Sequence, residues 1–207
     1  MAAHTHSRQN QQPLWQDLHF INKIRASPHL KIVGLNQTGA ALSLGSERNR
    51  YLATENLSAA TAVAIFSPTA AVITNIAPTN PSMPDMNWQA NLDIKLSELR
   101  SVYSSLRTHF SYPQVVVLVT EERSGRVVSS DALLSITWFL QSDLNIPHES
   151  IYLKSFPLGN VQSQQGETSI VVWWRQREEM PMVVVNNAFA FVDDGSIAAE
   201  AQARAQN

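Results

Sequence analysis

The sequence predicts an α+β domain: a layered α/β/α arrangement around a mixed β-sheet. Three observations carry this. Apolar runs of strand length stand before, between and after two longer stretches whose apolar residues recur every three or four positions. One of those runs, Val115-Val116-Val117-Leu118-Val119, is apolar at every residue, as a central strand covered on both faces must be. The links between runs are short and rich in turn formers, so neighbouring elements pack together.

In chain order, residues 1–12 are polar, rich in Gln, Asn and His, and predicted to be a disordered tail. Leu14, Leu18, Ile21 and Ile24 then fall at helical spacing behind Pro13, which suits a first turn. This segment, with Trp15, caps the domain or docks on a partner. A strand is expected from Leu30 to Leu35, continuing toward Ala40–Leu44 with Gly34 and Gly39 as punctuation. Thr61–Phe66 and Ala71–Ile76 read as two short buried strands joined by a tight Ser67-Pro68-Thr69-Ala70 turn.

A loop with Pro78, Pro81 and Pro84 leads to a long helix beginning between Asp85 and Asn91. Its stripe is Leu92, Leu96, Leu99, Tyr103, Leu106 and Phe110, and Asp93, Lys95, Glu98, Arg100 and Arg107 form the solvated faces. The valine strand follows. A second helix starts near Ser129–Asp131, with Leu133, Leu134, Trp138, Leu140 and Leu144 as its expected buried side, and Asn145-Ile146-Pro147 stops it. Ile151–Phe156 reads as a strand. Ser169–Trp174 and Met182–Val185 are close enough in sequence to pair antiparallel. The domain therefore spans residues 13–192, with a flexible tail over 193–207.

Composition removes several function classes. There is no cysteine, which excludes thiolate nucleophiles, disulfides and thiolate metal sites. The six histidines lack ligand spacing, so no metal and no cofactor are expected. A net charge of -2 and a pI near 6.3 leave no electrostatic footprint for nucleic acid. No apolar run approaches the ~20 residues of a membrane span, and the first ten residues lack the apolar core of a secretory signal. A cytoplasmic location is expected.

The polar segment ahead of the Thr61–Phe66 strand is where an enzyme of this layout would present a nucleophile. There the chain reads Thr54-Glu55-Asn56-Leu57-Ser58-Ala59-Ala60, and the second strand carries Val72-Ile73-Thr74-Asn75-Ile76-Ala77-Pro78. This pattern, from about Lys31 to Val172, resembles CheD, the bacterial chemoreceptor glutamine deamidase. The resemblance puts Ala60 at the position of the family's catalytic cysteine and Asn75 at that of its histidine. Thr54 stands where its third active-site residue would be. Thiol deamidation needs a thiolate to attack the amide and a histidine to move protons. Ala60 supplies no nucleophile, and an asparagine does not exchange protons near neutral pH. What the resemblance implies is thus a catalytically silent relative, working as a protein-binding or self-assembling homo-oligomeric scaffold. The alternative is a glutamine amidohydrolase or deamidase with a substituted Ser/Thr nucleophile, Ser58 or Thr61 beside Ala60, and Glu55 as a base near Thr54, although no histidine is placed to activate it.

Interaction candidates are the tryptophans. Trp173 and Trp174 are adjacent on a strand, so they point to opposite faces, and one may be left for a partner unless both faces are covered. Trp88 lies in the proline-rich stretch, and Trp15 is the anchor of the N-terminal segment.

Overall fold

The computed structural model describes residues 20–43, 50–55, 57, 60–78, 80–121, 130–157, 169–175, 179–185 and 188–191. Trp15, Ser58 and the two predicted tails lie outside them. In chain order the elements are α1 (Phe20–Ile24), β1 (Leu30–Val33), β2 (Thr38–Leu42), β3 (Arg50–Glu55), β4 (Thr61–Phe66) and β5 (Ala70–Ile76). After these come α2 (Trp88–Ser105), β6 (Gln114–Glu121), α3 (Ser130–Ser142), β7 (Ile151–Pro157), β8 (Ser169–Trp174), β9 (Met182–Val185) and β10 (Ala188–Phe191). The α+β class is as expected.

The strands divide between two five-stranded sheets instead of gathering in one, so the layering is α/β/β/α. One sheet has the order β1-β3-β8-β9-β10 and the other β2-β5-β4-β6-β7. Both are mixed: β1 runs parallel to β3, and β6 to β7, while the remaining pairs are antiparallel. The stretch expected as one long strand from Leu30 is broken, and its halves belong to different sheets. Asn36 turns the chain through the left-handed region (φ 55°) between them. Gly39 follows because a Cβ there would meet Val33 Cγ2 at 2.7 Å.

The period of two then sorts side chains into three apolar layers. Ala62, Ala64, Phe66, Ala71, Ile73, Val116 and Leu118 face Leu52, Ile170, Val172, Trp174 and Val183 between the sheets. Alternate residues of the same strands, Val63, Ile65, Val72, Ile76, Val115 and Val117, pack under Leu92, Leu96 and Leu99 of α2 and Ile136 and Leu140 of α3. On the far side α1 lays Phe20, Ile21 and Ile24 over Tyr51, Ala53, Val171, Trp173 and Val184. The antiparallel pairing expected for β8 and β9 forms, with Ile170 opposite Val185.

Asn87 caps α2 by accepting from the Ala90 N–H at 2.8 Å. The helix ends at Ser105, so Phe110 joins the core from outside it, its ring 4.7 Å from that of Tyr103. Lys95, expected in solvent, is buried: it lies on the wheel between Leu92 and Leu99, and its ammonium meets both Glu98 oxygens at 2.8 Å. The Thr38 hydroxyl donates to Glu98 at 3.2 Å, so in the 2.7 Å contact of Thr38 with Thr74 the proton is Thr74's. This polar chain ties α2 to β2 and β5.

Helix α3 differs from expectation in phase. Ala132, Ile136, Phe139 and Leu140 are buried, with Leu144 beyond the end, whereas Leu134 and Trp138 face water. No helix among the described residues is long and apolar enough to cross a membrane.

Candidate functional site

The junction singled out by the sequence is where the chain passes from one sheet to the other. Thr54 is the penultimate residue of β3, and it and Leu52 alternate with Tyr51 and Ala53, which turn to the α1 side. The Thr54 side chain therefore enters the layer between the sheets. Asn75 enters the same layer from β5, because it follows Ala71 and Ile73 at intervals of two. Its strand partner is Ala62, and Ala60 lies two residues before Ala62 on the same face. Ala60 is thus a diagonal neighbour of Asn75, roughly 7 Å away by sheet geometry.

The structure brings Thr54 and Asn75 into direct contact. Asn75 Nδ2 donates to Thr54 Oγ1 at 2.8 Å, a hydrogen bond from one sheet to the other, with both side chains fully buried. Leu57, Ala60 and Ala62 beside them are equally sealed. The Ala60 carbonyl accepts from Thr120 Oγ1 at 3.4 Å, which fixes the start of β4 against β6. Asn75 Oδ1 has no partner. Such an atom carries a desolvation cost that an apolar residue would not.

The exit of β5 is tightly held. The Asn75 N–H donates to the Gln37 carbonyl at 2.9 Å. Two residues on, Asn36 and Asn91 exchange amide hydrogen bonds at 3.2 and 3.0 Å, and Asn91 Nδ2 also reaches the Ala77 carbonyl at 2.9 Å. Ala77 N–H donates back to Asn36 Oδ1 at 3.3 Å. This buried polar clamp joins the β1–β2 crossing, the end of β5 and the first turn of α2. It was hidden in the sequence, since single asparagines in separate segments show no periodicity.

Chemically the site offers an alkyl group, an amide and a hydroxyl that already accepts a hydrogen bond. Among the described residues, His29 lies by the first residues of β3, its carbonyl accepting from Tyr51, and the His109 carbonyl takes bonds from Ser67 and Thr69 at the opposite end of the β4–β5 hairpin. Among the described residues no group of three His, Asp or Glu could hold a metal. Ionisable groups with displaced pKa values lie elsewhere. Burial pushes up the Tyr51 phenol, and it pushes up that of Tyr103 against the opposing pull of Arg107.

The tryptophans separate. Trp173 and Trp174 do point to opposite faces, but both are buried. Trp173 packs with Phe20 and Tyr51 at ring distances of 5.4 and 6.0 Å, and Trp174 Nε1 donates to the Ser67 carbonyl at 3.1 Å between the sheets. Trp88 opens α2 half-buried against the helix-side core. None of these three is a free surface anchor.

Trp138 is the exposed tryptophan among the described residues. It is 63% exposed and Leu134, one turn earlier, is 69% exposed. They stand at the wall of a groove of about 570 Å³ between α2 and α3, floored by Leu96 and Phe139 and edged by Asp93, Arg100 and Asp143. Arg100 bonds Asp143 and lies 5.4 Å over the Phe139 ring. A sequence signal did exist: from Ala132 to Ser142 there is no charged residue, so α3 lacks the solvated face of an ordinary surface helix.

No protein-family model matches the chain, and no curated protein matches it in sequence.

Proposed function

We propose that this chain is a non-catalytic protein-interaction or self-assembly protein built on a deamidase-like scaffold. The reading rests on one observation above others: the Thr54 and Asn75 side chains bond to each other inside a sealed apolar layer beside Ala60. If the chain is a CheD relative, this is the place of the thiol and the imidazole. Among the described residues there, Thr54, Leu57, Ala60 and Asn75 are buried and supply neither a thiol nor an imidazole. In such a scaffold the retained asset is surface, and the largest exposed apolar side chains among the described residues include Leu134 and Trp138, beside a groove. The recognised chemistry is then another protein met through apolar contact, in a cytoplasmic setting, with neither nucleic acid nor cofactor required.

The test is incubation with glutaminyl peptides and chemoreceptor fragments, following ammonia release and the mass change of amide to acid. No turnover is expected. Turnover that disappears in Ser58→Ala would replace this reading with a serine amidohydrolase.

A further inference from the structure

We infer that the α2–α3 face is a homodimer contact, formed across a two-fold axis that lies over the helix pair and perpendicular to it. The inference rests on the reading of the chain as an interaction protein and names the partner: a second copy.

Strand direction sets helix direction. β5 and β6 both pair antiparallel with β4, so they run the same way, and β6 is parallel to β7. Helices α2 and α3 each join two such strands and therefore run the same way as each other. The Arg100–Asp143 ion pair and the Arg100–Phe139 contact set their relative height. At 1.5 Å per residue, Asp93 then stands level with Leu134, and Ser97 level with Trp138.

A two-fold axis across this pair lays α2 antiparallel on its copy and α3 antiparallel on its copy. An axis passing midway between Leu96 and Ser97 brings Asp93 of one copy opposite Arg100 of the other, twice. An axis passing Ile136 brings Leu134 opposite the second copy's Trp138, twice. The two positions coincide to within about 2 Å along the helices. One symmetry operation therefore satisfies both the charges and the apolar side chains of the face.

The charges suit this use. Arg100 spends part of its fork on Asp143 and is half exposed, so it has N–H groups to give, while exposed Asp93 accepts from Gln89 Nε2 at 2.9 Å through one of its two carboxylate oxygens. A forked guanidinium can hold two carboxylates. The apolar residues suit it too. Trp138 leaves roughly 150 Å² of side chain in water, and α3 carries no charge between Ala132 and Ser142 to oppose a second apolar helix. An isologous contact needs one self-complementary patch, which this is. Two helices per copy place the contact at the small end of stable interfaces, on the order of 1,200 Å² in total. The dimer is accordingly weak and concentration-dependent.

Sedimentation velocity of the full chain from about 1 to 500 µM tests it. A shift from monomer to dimer over that range is expected, and a monomer throughout overturns the inference. Trp138→Ala and Leu134→Lys should each weaken the dimer by about tenfold or more, and Asp93→Arg, which sets like charges opposite each other, should weaken it most at low salt and reverse the sign of its dependence on salt. A dimer that none of the three weakens uses another face, and the inference falls. All three positions are exposed, so the variants fold.

The absence of cysteine allows a direct check of register. Ser135→Cys, near the axis, should form a disulfide-linked dimer on mild oxidation. Leu153→Cys, exposed on the edge strand β7, should not. Equal cross-linking at both sites overturns the inference. The glutaminyl-peptide assay is independent: turnover with a dimer removes the non-catalytic reading alone, and a silent monomer removes the dimer alone.

Discussion

The inner face of β5 and the outer face of α3 are mismatched to their surroundings in opposite ways. On β5 a polar amide, Asn75, is sealed between two sheets with one atom unpartnered. On α3 a tryptophan and a leucine stand in water where a surface helix ordinarily carries charge. Each mismatch costs the isolated chain free energy, and each has a different remedy. The amide answers its cost internally, through the bond to Thr54 that ties the sheets together. No described residue covers Leu134 and Trp138 on α3, and the proposed second copy would. What the contrast teaches is that a buried polar residue here marks a tie between layers, while exposed apolar ones mark the face proposed for contact.

The largest effect separates two tryptophans with the same side chain and opposite surroundings. Trp174 fills the layer between the sheets and donates to the Ser67 carbonyl, so Trp174→Ala removes its packing, leaves a cavity and strands that carbonyl. A loss of about 3–5 kcal/mol is expected. Trp138→Ala should change monomer stability by no more than about 0.5 kcal/mol. Urea unfolding of both variants at a concentration where the chain is monomeric checks the pair. A Trp138→Ala loss approaching that of Trp174→Ala would mean that α3 is seated with Trp138 inward and would dissolve the contrast.

A smaller effect tests whether the buried pair acts as a unit. Thr54→Val deletes the acceptor and leaves the Asn75 amide with no partner at all, at a cost on the order of 1–3 kcal/mol. Asn75→Leu removes the orphaned oxygen but leaves the Thr54 hydroxyl stranded in turn. With both changed, the layer becomes apolar throughout, and the double variant should cost clearly less than the sum of the singles. The coupling, read from a double-mutant cycle of urea midpoints, should lie between about 0.5 and 3 kcal/mol. Additive losses would mean that the two side chains do not bond.

These residues also show how far the sequence carries. The all-apolar valine run of β6, the turn at Ser67–Ala70 and the stripe of α2 were legible because each follows from a local rule of period or turn chemistry. The proximity of Thr54 and Asn75 was anticipated only through a family resemblance, since nothing within 21 residues of chain links them. The division into two sheets was hidden for a similar reason. A strand buried between sheets and one buried under helices both read as unbroken apolar runs, and what reassigns Leu30–Leu42 is a single asparagine in the left-handed region. The phase of α3 failed differently. Ala132, Leu133, Leu134, Ile136, Trp138, Phe139 and Leu140 offer apolar residues on every side, so a stripe could be drawn through Trp138 as readily as through Ile136 and Phe139. An apolar pattern with two solutions is the mark of a helix with two faces to cover.

The third layer, under α1, gives the smallest effect and depends on pH. Tyr51 is packed beside Phe20 and Trp173 at ring distances of 6.4 and 6.0 Å, and burial pushes its phenol above the ordinary value. In the unfolded chain the phenol ionises near pH 10. Below that pH it is neutral in both states and makes no contribution to pH dependence. Above it, the unfolded chain gives up its proton first and so binds fewer protons than the folded one, which makes stability fall as pH rises toward the folded pKa. Tyr103 has the same sign, because burial outweighs Arg107. Urea midpoints measured from about pH 8 to 11.5 should therefore be level up to about 10 and then decline. Tyr51→Phe should flatten the decline in part, and adding Tyr103→Phe should flatten it further. An unchanged slope in the double variant would mean that neither phenol is held in the apolar layers. Because α1 lies on the opposite side of the two sheets from α3, the same slope should persist in Trp138→Ala, which separates the layer that holds the fold from the face proposed to meet a second copy.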